Sequence, residues 1–217
     1  MRKITFILIA PLFLFSLIKK TDPIASSKAI EVKPLNTNQH QVFDDISNKS
    51  IAWKAWHFGK THERYGKVPI SKAEIYIKRK KLKGGIVEFS IENLTVENFG
   101  ERKEKEYLTN HLKSADFFET DSFPTAYFEI SKVKKSKGEY THLISGNLQI
   151  KNITRNITLP CNYNYHKDSI QLSFKPFEIN RNDWELTYNN SETPGISSDY
   201  LIDDGIGFEI NFWIKRK

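Results

Sequence analysis

The sequence predicts an all-β fold, a sandwich or barrel of antiparallel strands with one helix beside it. Three observations lead there. Apolar and polar residues alternate with period two along one short stretch after another, the pattern of half-buried strands. The alternation leaves one face wet, which suits antiparallel strands and not the doubly covered strands of a parallel α/β core. Only residues 101–113 carry a helical pattern, a charged stretch with a narrow apolar stripe from Tyr107, Leu108 and Leu112.

Residues 1–29 read as an export leader. Arg2 and Lys3 precede an apolar run over 4–18, shorter than the ~20 residues a spanning helix needs. Small residues at Ala25, Ser26, Ser27 and Ala29 mark the region of processing, and no cysteine follows the run to accept a lipid. Export with removal of the leader is the first expectation, and a retained membrane anchor the second. Residues 30–49 are polar and aperiodic, a linker or a leading strand, and the barrel domain is expected over 50–217.

The strands follow in order. Ile51, Trp53 and Ala55 alternate with Ala52, Lys54 and Trp56, and Ala73, Ile75 and Ile77 with Glu74, Tyr76 and Lys78. Residues 78–85 read as a hairpin turn, from their charge and the pair Gly84-Gly85. Val87, Phe89 and Ile91 alternate with Glu88, Ser90 and Glu92. After the helix come Phe117 and Phe118, then Pro124, which forces Phe123 out of the α region and sends the chain extended. Ala126, Phe128 and Ile130 then face one way, Tyr127 and Glu129 the other. Ile144, Leu148 and Ile150 share a face through Gly146, and Ile157, Leu159 and Cys161 share another. Ile170, Leu172 and Phe174 alternate with Gln171, Ser173 and Lys175, and Phe208, Ile210, Phe212 and Ile214 form a closing strand.

A chain of 217 residues suits one well-buried domain. Its net charge of +7 owes much to the leader: without residues 1–28, 28 basic face 25 acidic residues, a net +3. That balance selects no polyanionic partner. The basic runs at 78–83 and 132–137 lack the interleaved aromatics of a nucleic-acid groove. They read as solvated hairpin ends that discourage edge pairing, with transient contact to an anionic membrane surface as a further expectation. The one cysteine, Cys161, excludes an internal disulfide and a multi-cysteine metal site, and its apolar face predicts a buried, inert thiol.

Catalytic chemistry finds no residues to use. Asp116, Glu119 and Asp121 lie on a turn-rich stretch where carboxylates cap and solvate, with no nucleophile elbow or phosphate loop nearby. His57 and His62 flank Gly59 without a recognisable ligand spacing, so neither metal nor cofactor is expected. His111 is a candidate head-group contact, or a histidine stabilised by the C-terminal end of its helix. Trp184 is a ligand contact or a packed corner, with Asn182 and Asp183 as partners for its indole N–H.

Three ordered motifs carry a family resemblance. His111-Leu112-Lys113-Ser114-Ala115-Asp116-Phe117-Phe118, two acidic residues and Phe123-Pro124-Thr125-Ala126-Tyr127-Phe128-Glu129-Ile130 resemble the hallmark segment of the YceI-like family of polyisoprenoid-binding proteins. Residues 145–154 with Ile157-Thr158-Leu159-Pro160 resemble that family's G-x-L-x-I-x-G-x-T…LP hairpin, and residues 179–184 with Tyr188 its D-R-x-x-W-x-x-x-Y motif. Asn180 stands where the motif has Asp, and Asn152 where the hairpin has Gly, a position at which Asn tolerates a positive φ.

The resemblance selects the barrel, and implies an extended, lipocalin-like, eight-stranded antiparallel one that binds an isoprenoid or quinone-type lipid without catalysis, in the periplasm. The residues expected to line its interior are Trp53, Ile75, Ile77, Val87, Phe89, Ile91, Phe128, Ile144, Leu148, Ile150, Leu159, Phe174, Phe208 and Phe212, with Phe117 and Phe118 closing one end. The rival readings are a solid, ligand-free adaptor barrel and a prenyl-directed hydrolase or isomerase, which would need a polar cluster inside.

Overall fold

The computed structural model of the chain describes residues 22–35, 37–47 and 49–216, so most of the leader lies outside it. In chain order the strands are β1 (Ser27–Lys28), β2 (Gln41–Phe43), β3 (Asp45–Ile46), β4 (Ser50–His57), β5 (Thr61–Lys78), β6 (Lys81–Ser90) and β7 (Thr95–Val96). The helix α1 (Arg102–Lys113) follows, then β8 (Thr125–Lys135), β9 (His142–Ile150), β10 (Ile153–Tyr165), β11 (Ser169–Phe174), β12 (Phe177–Asn180), β13 (Gly205–Glu209) and β14 (Asn211–Lys215). All fourteen join one curled, antiparallel sheet, so the fold class is the expected one while the segment count exceeds eight.

The excess comes from bends. β2 pairs the far half of β5 and β4 its near half on the same side, so β2, β3 and β4 belong to one bent ribbon. β11–β14 and β12–β13 are two halves of one bent hairpin, and β3 and β4 take the other edges of β14 and β13. Joined across the bends, twelve of the segments make eight ribbons that return to their start, and the two-residue β1 and β7 pair beside β10 and β5. The closing strand expected over 208–214 is thus broken at Ile210, where the chain passes from β13 to β14.

One seam is incomplete. The second half of β10 pairs β11, but its first half pairs β1 instead of β12. Ile24 bridges to Ile179 in parallel, and Ser26 Oγ donates to Asp183 Oδ2 at 2.5 Å. Residues 24–28, assigned by the sequence to the leader, therefore lie in this seam as part of the sheet. Residues 30–49 hold strands and not a mere linker: Phe43 is fully buried.

Local chemistry moves other boundaries. The β5–β6 turn is Arg79-Lys80, with φ of 51° and 62°, the left-handed pair of a two-residue hairpin turn. Gly84 and Gly85 are not turn residues. They sit inside β6, where a register shift marks a bulge and an added Cβ would strike the Leu35 and Ile75 side chains at 2.7 and 2.6 Å. At the β9–β10 turn the positive φ falls on Lys151 (55°) and not on Asn152. The helix opens with a reciprocal capping box between Glu101 and Glu104. Its apolar stripe is Leu108 and Leu112 alone, since Tyr107 is 71% exposed. Pro124 acts as expected: β8 starts at the next residue, and its carbonyl accepts the N–H groups of Ile91 and Glu92.

Candidate ligand-binding site

The inward residues of the ribbons enclose an apolar cavity of about 260 Å³. Period-two alternation builds it from both sides: Trp53 opposes Phe208 across β4 and β13, and Val87 opposes Phe128 across β6 and β8. The Phe128 ring lies over Gly146, where an added Cβ would meet it at 2.2 Å, so the glycine lets the ring reach its place. Trp53 is fixed by its indole N–H, which donates to Thr95 O at 3.2 Å. Leu108 and Leu112 of α1, with Phe117 and Phe118 from the turn after it, cover one end.

Of the residues expected to line the interior, Ile75, Phe89, Ile91, Leu148, Ile150, Leu159, Phe174 and Phe212 border this cavity together with those just described. Ile77 and Ile144 do not. Both are fully buried at the other end of the barrel, in a solid core with Phe43, Cys161, Ile170 and Ile214. Alternation tells which face a residue occupies, not whether side chains from opposite ribbons meet there.

His111 also falls outside the cavity lining. Its Nε2 lies 3.1 Å from Asp116 Oδ2, and its ring stands edge-on to Phe117 and Tyr188 at 5.1 and 4.8 Å. It ties the helix C-terminus to the turn carrying Phe117. Trp184 is fully buried and donates to Leu148 O at 3.1 Å, not to Asn182 or Asp183, so it plugs the incomplete seam.

The polar residues on the cavity wall were not expected. Arg181 is 1% exposed and donates to the carbonyls of Asp203 (3.2 Å), Ile202 (3.1 Å) and Leu186. Burial lowers its pKa, opposed by Asp204 and Asp203. Beside it Lys60 bridges Glu178 at 2.6 Å and Asp203 at 2.9 Å. Arg64 also faces the cavity, its guanidinium carbon 4.3 Å from the Phe99 ring centre. The signal that could have found Arg181 is the R-x-x-W motif, to which no site role was given. Arg64 had no such signal, because residues 61–70 mix polar and apolar positions and read as no strand.

Arg181 and Lys60 tie the wall to residues 202–204 and to Glu178. His57 and His62 meet edge-on at 5.5 Å, and among the described residues no three His, Cys, Asp or Glu side chains gather to hold a metal. Cys161 is fully buried and desolvation pushes its thiol up to about 12, so it stays protonated. Among the described residues no helix is long and apolar enough to cross a membrane.

Residues 42–213 match the model of the YceI-like domain. No curated protein matches the chain. Among solved structures, Burkholderia cenocepacia BcnA is similar at 14% identity over 76% of this chain and 94% of its own, with a TM-score of 0.56. A polyisoprenoid binding domain from Saccharophagus degradans, implicated in plant cell wall breakdown, is 10% identical over 82% of this chain and all of its own, with a TM-score of 0.55. The Campylobacter jejuni YCEI protein is 17% identical over 91% of this chain and 94% of its own, with a TM-score of 0.50. Identities this low speak to the fold, and the domain match supplies the family: the chain belongs to the YceI-like domain family.

Proposed function

We propose that the chain binds a long apolar lipid of isoprenoid or quinone type inside its barrel, carrying or storing it without chemical change in the periplasm. One observation carries this reading: the cavity is walled by aliphatic and aromatic side chains from all sides of the barrel. The polyisoprenoid-binding neighbour supports it. Water in such a space finds few partners, whereas each methylene placed there gains about 0.8 kcal/mol. Ten carbons, two isoprene units, gain about 8 kcal/mol on that scale, enough to offset much of the entropy of association. Loading by transient contact with an anionic membrane surface belongs to the same reading.

The test is what the barrel carries. Protein purified from its native compartment without detergent should release, on organic extraction, a prenyl mass ladder near one equivalent. Phe128→Glu buries an unpaired carboxylate against the tail and should lose the lipid while circular dichroism stays native. Tyr127→Gln on the outer face should keep it; Gln is chosen because Glu88 opposes Tyr127 in the ladder. An empty wild-type extract, or equal loss from both variants, would transfer the case to a ligand-free adaptor.

A further inference from the structure

The outside of the barrel is not uniform. On β5, β6 and β8 the outward cross-strand rows are Lys72, Glu88 and Tyr127, then Glu74, Ile86 and Glu129, as suits a chain in which 27% of the residues are charged. On β10, β11 and β14 the corresponding rows are Asn162, Ser173 and Asn211, then Asn164, Gln171 and Trp213. Residues opposite each other in a ladder share a face, and alternation puts these rows outside, since Leu172 and Phe212 between them are buried. Neither row carries a charge. The next outward residue of β14, Lys215, stands opposite Asp45 of β3.

Trp213 is 37% exposed although its indole stacks on His166, with ring centres 5.1 Å apart and planes 29° from parallel. The stack steadies one face of the indole and leaves the other face and the edge to solvent. Asn164 donates to Gln171 Oε1 at 3.4 Å. The Trp213 indole N–H, the Gln171 amide N–H groups and Asn164 Oδ1 have no partner among the described residues. In the neighbouring row Ser173 Oγ donates to Asn211 Oδ1 at 2.9 Å, and Asn162 Oδ1 accepts from Thr141 N at 3.0 Å. The face is therefore an aromatic plate bordered by amide donors and acceptors, on three strands that span about 10 Å.

We propose that this outer face binds a neutral oligosaccharide of glucose-type rings, with one ring stacked on Trp213 and its hydroxyls hydrogen-bonded to Asn164 and Gln171. A pyranose whose hydroxyls are all equatorial presents axial C–H groups on both faces, an apolar plane that fits an indole. Its rim both donates and accepts, and side-chain amides do the same. Charge matching narrows the class. An anionic glycan would find no cation in these rows to replace its water, and an apolar partner would strand the amides. The site lies on the opposite side of the sheet from the cavity, which Leu172 and Phe212 line, so it does not depend on the lipid reading.

Titration calorimetry of the exported protein with cellohexaose, chitohexaose and a hyaluronan hexasaccharide tests this. At least one of the two neutral probes should bind with a Kd below about 1 mM. Added salt should leave that affinity unchanged, because no charge is involved. The tighter of the two identifies the sugar as glucose or N-acetylglucosamine. Trp213→Ala should weaken binding about tenfold or more, while Trp213→Tyr keeps part of it through its ring. Gln171→Ala should lose less than Trp213→Ala, and thermal unfolding of all three variants should match wild type. The proposal is overturned if neither neutral probe binds at about 10 mM. Unchanged affinity in Trp213→Ala also overturns it, as does hyaluronan binding as tightly as the neutral sugars.

Discussion

The two ends of the barrel are made from the same alternating strands, yet one is solid and the other hollow. At the hairpin end the ribbons are joined by short turns, including 79–80 and 166–168, and Phe43, Ile77, Ile144, Cys161, Ile170 and Ile214 are fully buried. Tyr165 packs edge-on against Phe43 at 6.3 Å, and the Tyr163 hydroxyl donates to Lys80 O at 3.2 Å across the rim. The helix end has tight turns as well, at 58–60 and 151–152, but two of its connections are long: residues 91–124 include α1, and 181–204 return to β13. There β10 parts from β12, and the helix covers the opening without filling it. The two long connections and the parted seam set the helix end apart from the hairpin end.

The largest expected effect tests that difference through stability. Ile144→Ala should cost about 2–5 kcal/mol in denaturant unfolding, because it opens a void where neighbours already touch. Leu148→Ala, four residues further along β9 on the cavity wall, enlarges a space that exists and should cost less than half as much. Lipid binding by the folded Ile144→Ala protein should be unchanged. Equal costs at the two sites would show that both ends are packed alike.

A second, intermediate effect concerns the incomplete seam. Residues 24–30 contribute the Ile24 N to Glu178 O bond at 2.7 Å, the Ser26–Asp183 contact and a reciprocal pair between Ile30 and Asn147. Partly exposed hydrogen bonds are each worth about 0.5–1.5 kcal/mol, so removing residues 22–30 should cost about 1–3 kcal/mol. Hydrogen exchange should rise in β12 and the first half of β10, and stay constant in β11 and β14 at the hairpin end. The exported protein should accordingly begin before Ile24, as intact-mass measurement would read. A mature N-terminus at Glu31 would leave the seam uncovered in the native protein and contradict this account.

The contrast also explains what could be read without coordinates. Trp53, Val87, Phe89 and Phe128 were legible as inward residues because each belongs to a clean alternation, and side is all that alternation encodes. Ile77 and Ile144 carry the same pattern, and nothing in it records that the barrel is full at their depth. The strand over 61–70 was invisible because Arg64 interrupts its inner face, which is also why that residue stands out once the ladder is known. The seam role of residues 24–28 was hidden by small residues that resemble a processing site. The Trp184 partner, Leu148 O, is 36 residues away in sequence, beyond any local rule.

The smallest energetic effect gives a direct chemical comparison of the two ends. Cys161, at the solid end, has its thiol pushed up to about 12 by desolvation. At pH 8 about one thiol in ten thousand would be ionised, and the thiolate is the species that attacks alkylating reagents. Iodoacetamide should therefore leave the folded protein unmodified and label Cys161 fully after unfolding. Ala55→Cys puts a second thiol on the cavity wall opposite Arg64, at a stability cost of about 1 kcal/mol or less. There the guanidinium favours the thiolate, so labelling of residue 55 should proceed in the folded protein. Farnesyl phosphate should slow it, while Cys161 stays silent with or without the lipid. Mass spectrometry of the digested protein distinguishes the two sites. Labelling of Cys161 at the rate of the new thiol would mean that the hairpin end opens as readily as the helix end, and the division between a solid half and a hollow half would be lost.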